Sequence, residues 1–214
     1  NSSITSVIRF LPNRYTDATS RRENDMQKPS VPMLPKEEAK SRAGEQQMQE
    51  RFAELSVFRI LLNQPSLARE IANTLTSLLF EDNVLDPRLR ELLIMRIAWV
   101  RGSDYEWTQH WRVARGLDIP QADLLAVQNW NSASHLSDTD RAVLQATDDC
   151  LDVGFIQPNT WDSIKVHLKT PAEQIELVIA IGNWMLFAQL LRSLNVPLED
   201  GIRSWPPTGS GPQA

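Results

Sequence analysis

The stretch Glu91-Leu92-Leu93-Ile94-Met95-Arg96-Ile97-Ala98-Trp99-Val100-Arg101-Gly102-Ser103-Asp104-Tyr105-Glu106-Trp107-Thr108-Gln109-His110 decides how this chain is read. Its first half is apolar nearly all round, which puts a helix either at the centre of a bundle or at a subunit interface. Asp86-Pro87 just ahead supplies an N-cap and a proline at the first helical position. Arg101-Gly102 breaks the pattern, and Ser103 opens a second helix that is expected to end at Gly116 in a left-handed cap.

Working outward, the pattern stays helical. Leu67, Ile71, Ala72, Leu75, Leu78 and Leu79 predict one apolar face on a helix near 65–80. Shorter helices are predicted over 120–129 and 158–168, and another from Ser137 to about Asp152. Thr170-Pro171-Ala172-Glu173 is a capping box that opens a long apolar helix to about Leu194. The expected fold is all-α, a helical bundle with two pseudo-repeated halves: Glu91 to Trp99 matches Glu176 to Trp184, and both tryptophans are expected in the core. Residues 1–36 read as an arm, 37–205 as one helical domain and 206–214 as a flexible, proline-rich tail. Within the domain, Pro35 to Phe52 reads as an exposed helix or linker.

The composition narrows the function classes. The chain has 214 residues, 42% hydrophobic and 23% charged, which is ordinary for a globular protein. A net charge of -5 opposes nonspecific nucleic-acid binding. The single cysteine, Cys150, cannot form an intramolecular disulfide and reads as a buried structural thiol. No apolar run suggests a bilayer span, and no segment suggests a signal peptide, so the expected location is cytoplasmic and no membrane partner is expected.

On a helix, Ser103, Glu106 and His110 share one face, with Trp107 beside them. A carboxylate four residues before an imidazole can hold its tautomer, and Glu91 on an apolar helix would be desolvated toward a neutral form. Each residue also has an ordinary structural reading. Ser103 and Glu106 have capping-box spacing, Glu106 and His110 are a common helical pair, and Glu91 sits where the helix dipole favours an acid. His135 and His167 form no defensible metal-ligand spacing. Trp107, Trp111 and Trp130 are candidates for an aromatic pocket.

The segment from Arg88 to His110 resembles the signature of the carboxymuconolactone decarboxylase family. In the alkylhydroperoxidase D branch a Glu is followed by Cys-x-x-Cys and then a His. Here Glu91 matches the glutamate, Ser103 and Glu106 stand at the two cysteine positions, and His110 matches the histidine. The resemblance implies an alkylhydroperoxidase D-like bundle that assembles as a trimer or hexamer. With no dithiol, it points to cofactor-free acid–base chemistry on a small carboxylated lactone or related carbonyl compound, a lyase-type decarboxylation or an isomerisation. By that analogy His110 is the acid/base, Glu106 orients it and Glu91 is a second proton carrier. Ser103, Trp107, Trp111, Arg96 and Arg101 would bind substrate, with no metal. Two alternatives stay open: a non-catalytic oligomeric binding protein, and a peroxidase-type activity like that of the cysteine-bearing relatives.

Overall fold

The computed structural model describes residues 28–81 and 83–213. The helices are α1 (Lys36–Glu45), α2 (Glu50–Ala53), α3 (Ser56–Leu61), α4 (Pro65–Leu79), α5 (Pro87–Arg101), α6 (Asp104–Gly116), α7 (Gln121–Ala126), α8 (Asp138–Val153), α9 (Pro158–His167) and α10 (Pro171–Ser193). A 3-10 segment, Val127–Ser132, follows α7, and there is no strand among the described residues. The all-α expectation holds.

Helix α5 is central. The Asp86 carboxylate accepts the N–H groups of Arg88 at 2.9 Å and Leu89 at 3.1 Å, and Gly102 ends the helix in the left-handed region at φ 61°. Leu89 through Met95, with Ile97 and Ala98, are all buried within this one chain. The all-round apolarity is therefore explained by the chain's own core and needs no subunit interface. Leu89, Leu93, Ile94 and Ile97 face a large core shared with α4, α8 and α10, whereas Leu92, Met95 and Ala98 face a smaller one built on Trp107, Trp111 and Trp130.

Several local expectations change. In α4 the buried stripe is Ala68, Ala72, Leu75 and Leu78; Leu67 is 53% exposed, because one residue of offset turns a helical side chain about 100° away. The stretch read as exposed helix or linker contains α1, whose Ala39 and Ala43 are one turn apart and buried. Gly116 is the last residue of α6, and the left-handed position falls on Asp118 instead, at φ 58°. Trp184 is buried, but Trp99 is only half-buried at the edge of the tryptophan cluster.

The termini are more engaged than expected. Most of the arm lies outside the described residues, but its last part is extended. There Ser30 N–H donates to Leu194 at 2.8 Å, and Leu34 and Arg59 exchange hydrogen bonds of 3.1 and 2.8 Å. The end of the expected domain, Ser204 and Trp205, docks on α6 together with Pro206, the first residue of the segment expected as a flexible tail. Asp104 accepts from Ser204 Oγ at 2.6 Å and Trp205 N–H at 3.1 Å, and Trp107 Nε1 donates to the Pro206 carbonyl at 2.8 Å. Gly211 lies so close to the Trp205 ring that a Cβ would stand 2.5 Å from it.

Helix α10, against the sequence reading, is long and apolar enough to cross a bilayer by length and composition. One side, including Leu177, Ile181, Trp184 and Phe187, is buried in the core; Ile175, Val178, Ile179 and Leu186 are exposed.

Candidate functional site

Three helices build the site. Glu91 is on α5, one turn past its cap, where the surrounding apolar residues remove all of its surface from water (0% exposed). Glu106 and His110 are one turn apart on α6, and Trp184 comes from α10. The packing of α6 and α10 on α5 brings these four side chains together.

Glu91 Oε2 lies 2.8 Å from His110 Nδ1, and Trp184 Nε1 lies 2.9 Å from His110 Nε2. An indole N–H only donates, so Nε2 accepts and Nδ1 carries the proton, which it donates to the Glu91 carboxylate. The second Glu91 oxygen faces Arg90 Nε at 3.5 Å, and Arg90 also donates to the Leu78 carbonyl at 3.1 Å. The expected pairing is thus corrected: Glu91, not Glu106, holds the imidazole. The i, i+4 spacing permitted the Glu106 pairing, but the ring is claimed by two neighbours from other helices.

Glu106 is 2% exposed, and neither carboxyl oxygen has a hydrogen-bond partner. Burial pushes its pKa well above the usual carboxylate range, and nearby Ser103 offsets this only in part. The capping box that Ser103-x-x-Glu106 suggested is absent: Ser103 makes no side-chain cap, and its buried hydroxyl lacks a partner of normal geometry. Five of the seven buried side-chain atoms without hydrogen-bond partners, among the described residues, belong to Arg90, Glu91, Ser103 and Glu106. Such groups are costly to bury, so their concentration marks this place.

Beside them lies a cavity of about 300 Å³. Its walls are mostly apolar, from Phe52, Phe58, Leu75, Phe187 and their neighbours, and its polar lining includes Glu106, His110, Tyr105, Gln109 and Arg51. Glu199 braces one wall: it accepts from Tyr105 Oη and Ser56 N–H at 2.6 and 2.9 Å, and from the Gln109 amide. Arg51 lies 3.8 Å over the Phe80 ring at the exposed edge.

The other sequence candidates lie elsewhere. Arg96 is bound to Asp148 at 2.7 Å and to the carbonyls of Val127 and Gln128, which makes it a brace between helices. Arg101 donates to the Leu151 carbonyl and borders a separate surface groove that also contains Cys150. Trp107, Trp111 and Trp130 belong to the tryptophan cluster and line no part of this cavity. Ser103 is buried behind Glu106 without reaching the cavity. His135 pairs with Asp123 at 3.4 Å and His167 with Thr139 at 3.0 Å. Among the described residues no cluster of three potential metal ligands occurs. Trp184, Tyr105, Gln109 and Arg51 were missed as site residues; only Trp184 carried a signal, through its match to Trp99, and that signal read as core.

Residues 65–149 match the carboxymuconolactone decarboxylase family model. Over these residues the chain is similar to that family. The matched segment spans α4 to most of α8, so Glu91, Glu106 and His110 lie inside it and Trp184 outside. Similar folds include a peroxidase-related protein with the alkylhydroperoxidase AhpD core from Ralstonia eutropha. Its TM-score is 0.64 at 15% identity, covering 82% of this chain and 93% of that one. A peroxidase-related protein from Silicibacter has a TM-score of 0.61 at 15% identity, covering 81% and 92%. The debrominase Bmp8, solved with 2,3,4-tribromopyrrole, has a TM-score of 0.59 at 13% identity, covering 94% and 96%. At such identities the likeness establishes the shared helical fold. No protein of curated function matches the chain significantly in sequence.

Proposed function

We propose that this protein is an acid–base enzyme, independent of cofactors, that decarboxylates or isomerises a small carbonyl compound in the cavity beside Glu106 and His110. The observation that carries the reading is a buried, unpartnered carboxyl one helical turn from a buttressed imidazole, both lining one small apolar chamber. Glu106, held protonated by burial, is suited to donate a proton or a hydrogen bond to an enolate oxygen. Glu91 fixes the His110 tautomer and stabilises the imidazolium that forms when Nε2 takes a proton. Substrate must displace the Trp184 indole from Nε2 for that step. In a decarboxylation the bond to the carboxylate carbon breaks, carbon dioxide leaves, and the enolate is protonated on carbon by this acid–base set.

Similarity to the carboxymuconolactone decarboxylase family over residues 65–149 supports the lyase-type reading. Dithiol chemistry of the kind found in cysteine-bearing relatives lacks its thiols here, because Ser103 and Glu106 occupy both positions and Cys150 lines a different groove. A second reading, a non-catalytic binding protein, is favoured by one observation: both nitrogens of His110 are already bonded. Assembly into a homo-oligomer, a trimer or hexamer as the family resemblance implies, is supported by the exposed apolar side of α10.

The test is turnover of a panel of β-keto acids and carboxylated lactones, followed by carbon dioxide release and by solvent deuterium entering carbon. His110→Ala and Glu106→Ala are each expected to lower the rate by on the order of 10²–10⁴ with helical circular dichroism unchanged. Turnover by His110→Ala at the level of the unmodified protein would rule the proposal out. Binding without turnover would favour the second reading.

A further inference from the structure

The charges around the cavity balance before any ligand arrives. Arg90 and Glu91 face each other at 3.5 Å, both nearly inaccessible to water. His110 accepts from one neighbour and donates to another, the pattern of a neutral ring. Glu106 has no cation beside it: none of its oxygens meets an Arg, Lys or His at hydrogen-bond distance. Among the described residues the one guanidinium lining the cavity, Arg51, is exposed and lies over the Phe80 ring. Among the remaining walls the polar groups are Tyr105 and Gln109, both of which donate to Glu199, and the rest is hydrocarbon and aromatic.

A carboxylate or phosphate carried to the Glu106 end of this chamber would lose its hydration and find no counter-charge there, since Arg51 stands at the exposed edge over Phe80, and burial of an unpaired ion is strongly disfavoured. A neutral carbonyl oxygen would instead meet a carboxyl that still lacks a partner and would satisfy it. The volume of about 300 Å³ equals roughly ten water-sized volumes, enough for one ring or a short chain.

We propose that the cavity is a site for an uncharged, largely apolar carbonyl compound of single-ring size, whose oxygen accepts a hydrogen bond from the protonated Glu106 side chain. This rests on the acid–base reading in placing substrate beside Glu106, and it narrows that reading to its isomerisation branch: a carboxylate about to leave as carbon dioxide would have to sit in the same uncompensated chamber.

Acetophenone and benzoate test it, because the two have nearly the same shape and differ in charge. Binding to the full chain at neutral pH is measured by calorimetry or ligand-observed NMR, without turnover. Acetophenone is expected to bind at least about tenfold more tightly than benzoate, the factor that 1.4 kcal/mol of discrimination produces. Glu106→Gln keeps a donor and is expected to retain most of that affinity. Glu106→Ala is expected to lose about tenfold. Infrared difference spectra between the unmodified protein and Glu106→Gln are expected to show a protonated carboxyl C=O band at neutral pH.

Equal or tighter binding of benzoate, no binding of acetophenone, unchanged affinity in Glu106→Ala, or a carboxylate band in place of the protonated one would each overturn the proposal. The expected binding order in a protein that turns nothing over would sink the catalytic reading alone. Benzoate preference in an active protein would sink this inference alone.

Discussion

Helix α6 has two sides, and they have opposite characters. On one, Trp107 stacks on Trp111 with ring centroids 6.0 Å apart and meets Trp99 and Trp205 at 5.3 and 5.8 Å, while its indole N–H donates to Pro206. No buried side-chain nitrogen or oxygen of that aromatic cluster lacks a partner. On the other, Glu106 is buried with both oxygens unpartnered and a void lies beside it. The aromatic richness that makes Trp107 and Trp111 look like a pocket instead produces the filled side. Packing that satisfies every group leaves no room for a ligand, so chemistry is sought where satisfaction is incomplete.

The contrast can be tested by substitution. The largest effect is expected from Trp107→Ala, which opens a hole in the filled side: about 3–5 kcal/mol of stability lost in denaturant unfolding. Ligand binding in the cavity should change little under conditions where that variant remains folded. A comparable loss of catalysis would show that the two sides are not separable. Next is Glu91→Gln, which leaves Arg90 buried without its counter-charge and His110 without its orienting carboxylate. Roughly 3 kcal/mol is expected to be lost together with most of the turnover, and an active, fully stable variant would show that the pair is ornamental.

Glu106→Gln should act in the opposite direction on stability. The folded-state pKa of Glu106 lies above its unfolded value, so between the two the folded protein holds the extra proton and stability falls as pH rises. The penalty is absent below the ordinary value of 4.5 and grows above it, at up to about 1.4 kcal/mol per pH unit, until the folded group itself ionises. The variant should therefore gain on the unmodified protein as pH increases, and a difference independent of pH would contradict the burial of an acid there. The smallest effect is expected from Asp104→Ala, which releases Ser204 and Trp205 from the filled side. About 1–2 kcal/mol should go, with faster proteolysis after residue 203.

How much of this was legible beforehand depended on how local the cause was. Asp86-Pro87, Ser137 with Asp140, and Thr170 with Glu173 fix their helix starts through hydrogen bonds a few residues long, and they appear where the sequence puts them. Glu91, Glu106 and His110 were legible as a set because their spacing along two consecutive helices carries the family pattern. Their pairing was not, because helical spacing lists permitted neighbours without saying which will be taken. Nor was the role of Arg96, since a guanidinium suited to a substrate carboxylate is equally suited to Asp148, which lies 52 residues further along the chain.

The sequence alone therefore determined the helices from α4 onward, the apolar centre at α5 and the residue types available for proton transfer, since these follow from periodicity, capping and composition. Only the tertiary structure decided that Trp184 closes on His110, that Glu106 stays unpaired, and that the void opens on one side of α6. Those outcomes depend on which distant side chains pack and bond most favourably in a shared volume, and no local pattern encodes that competition.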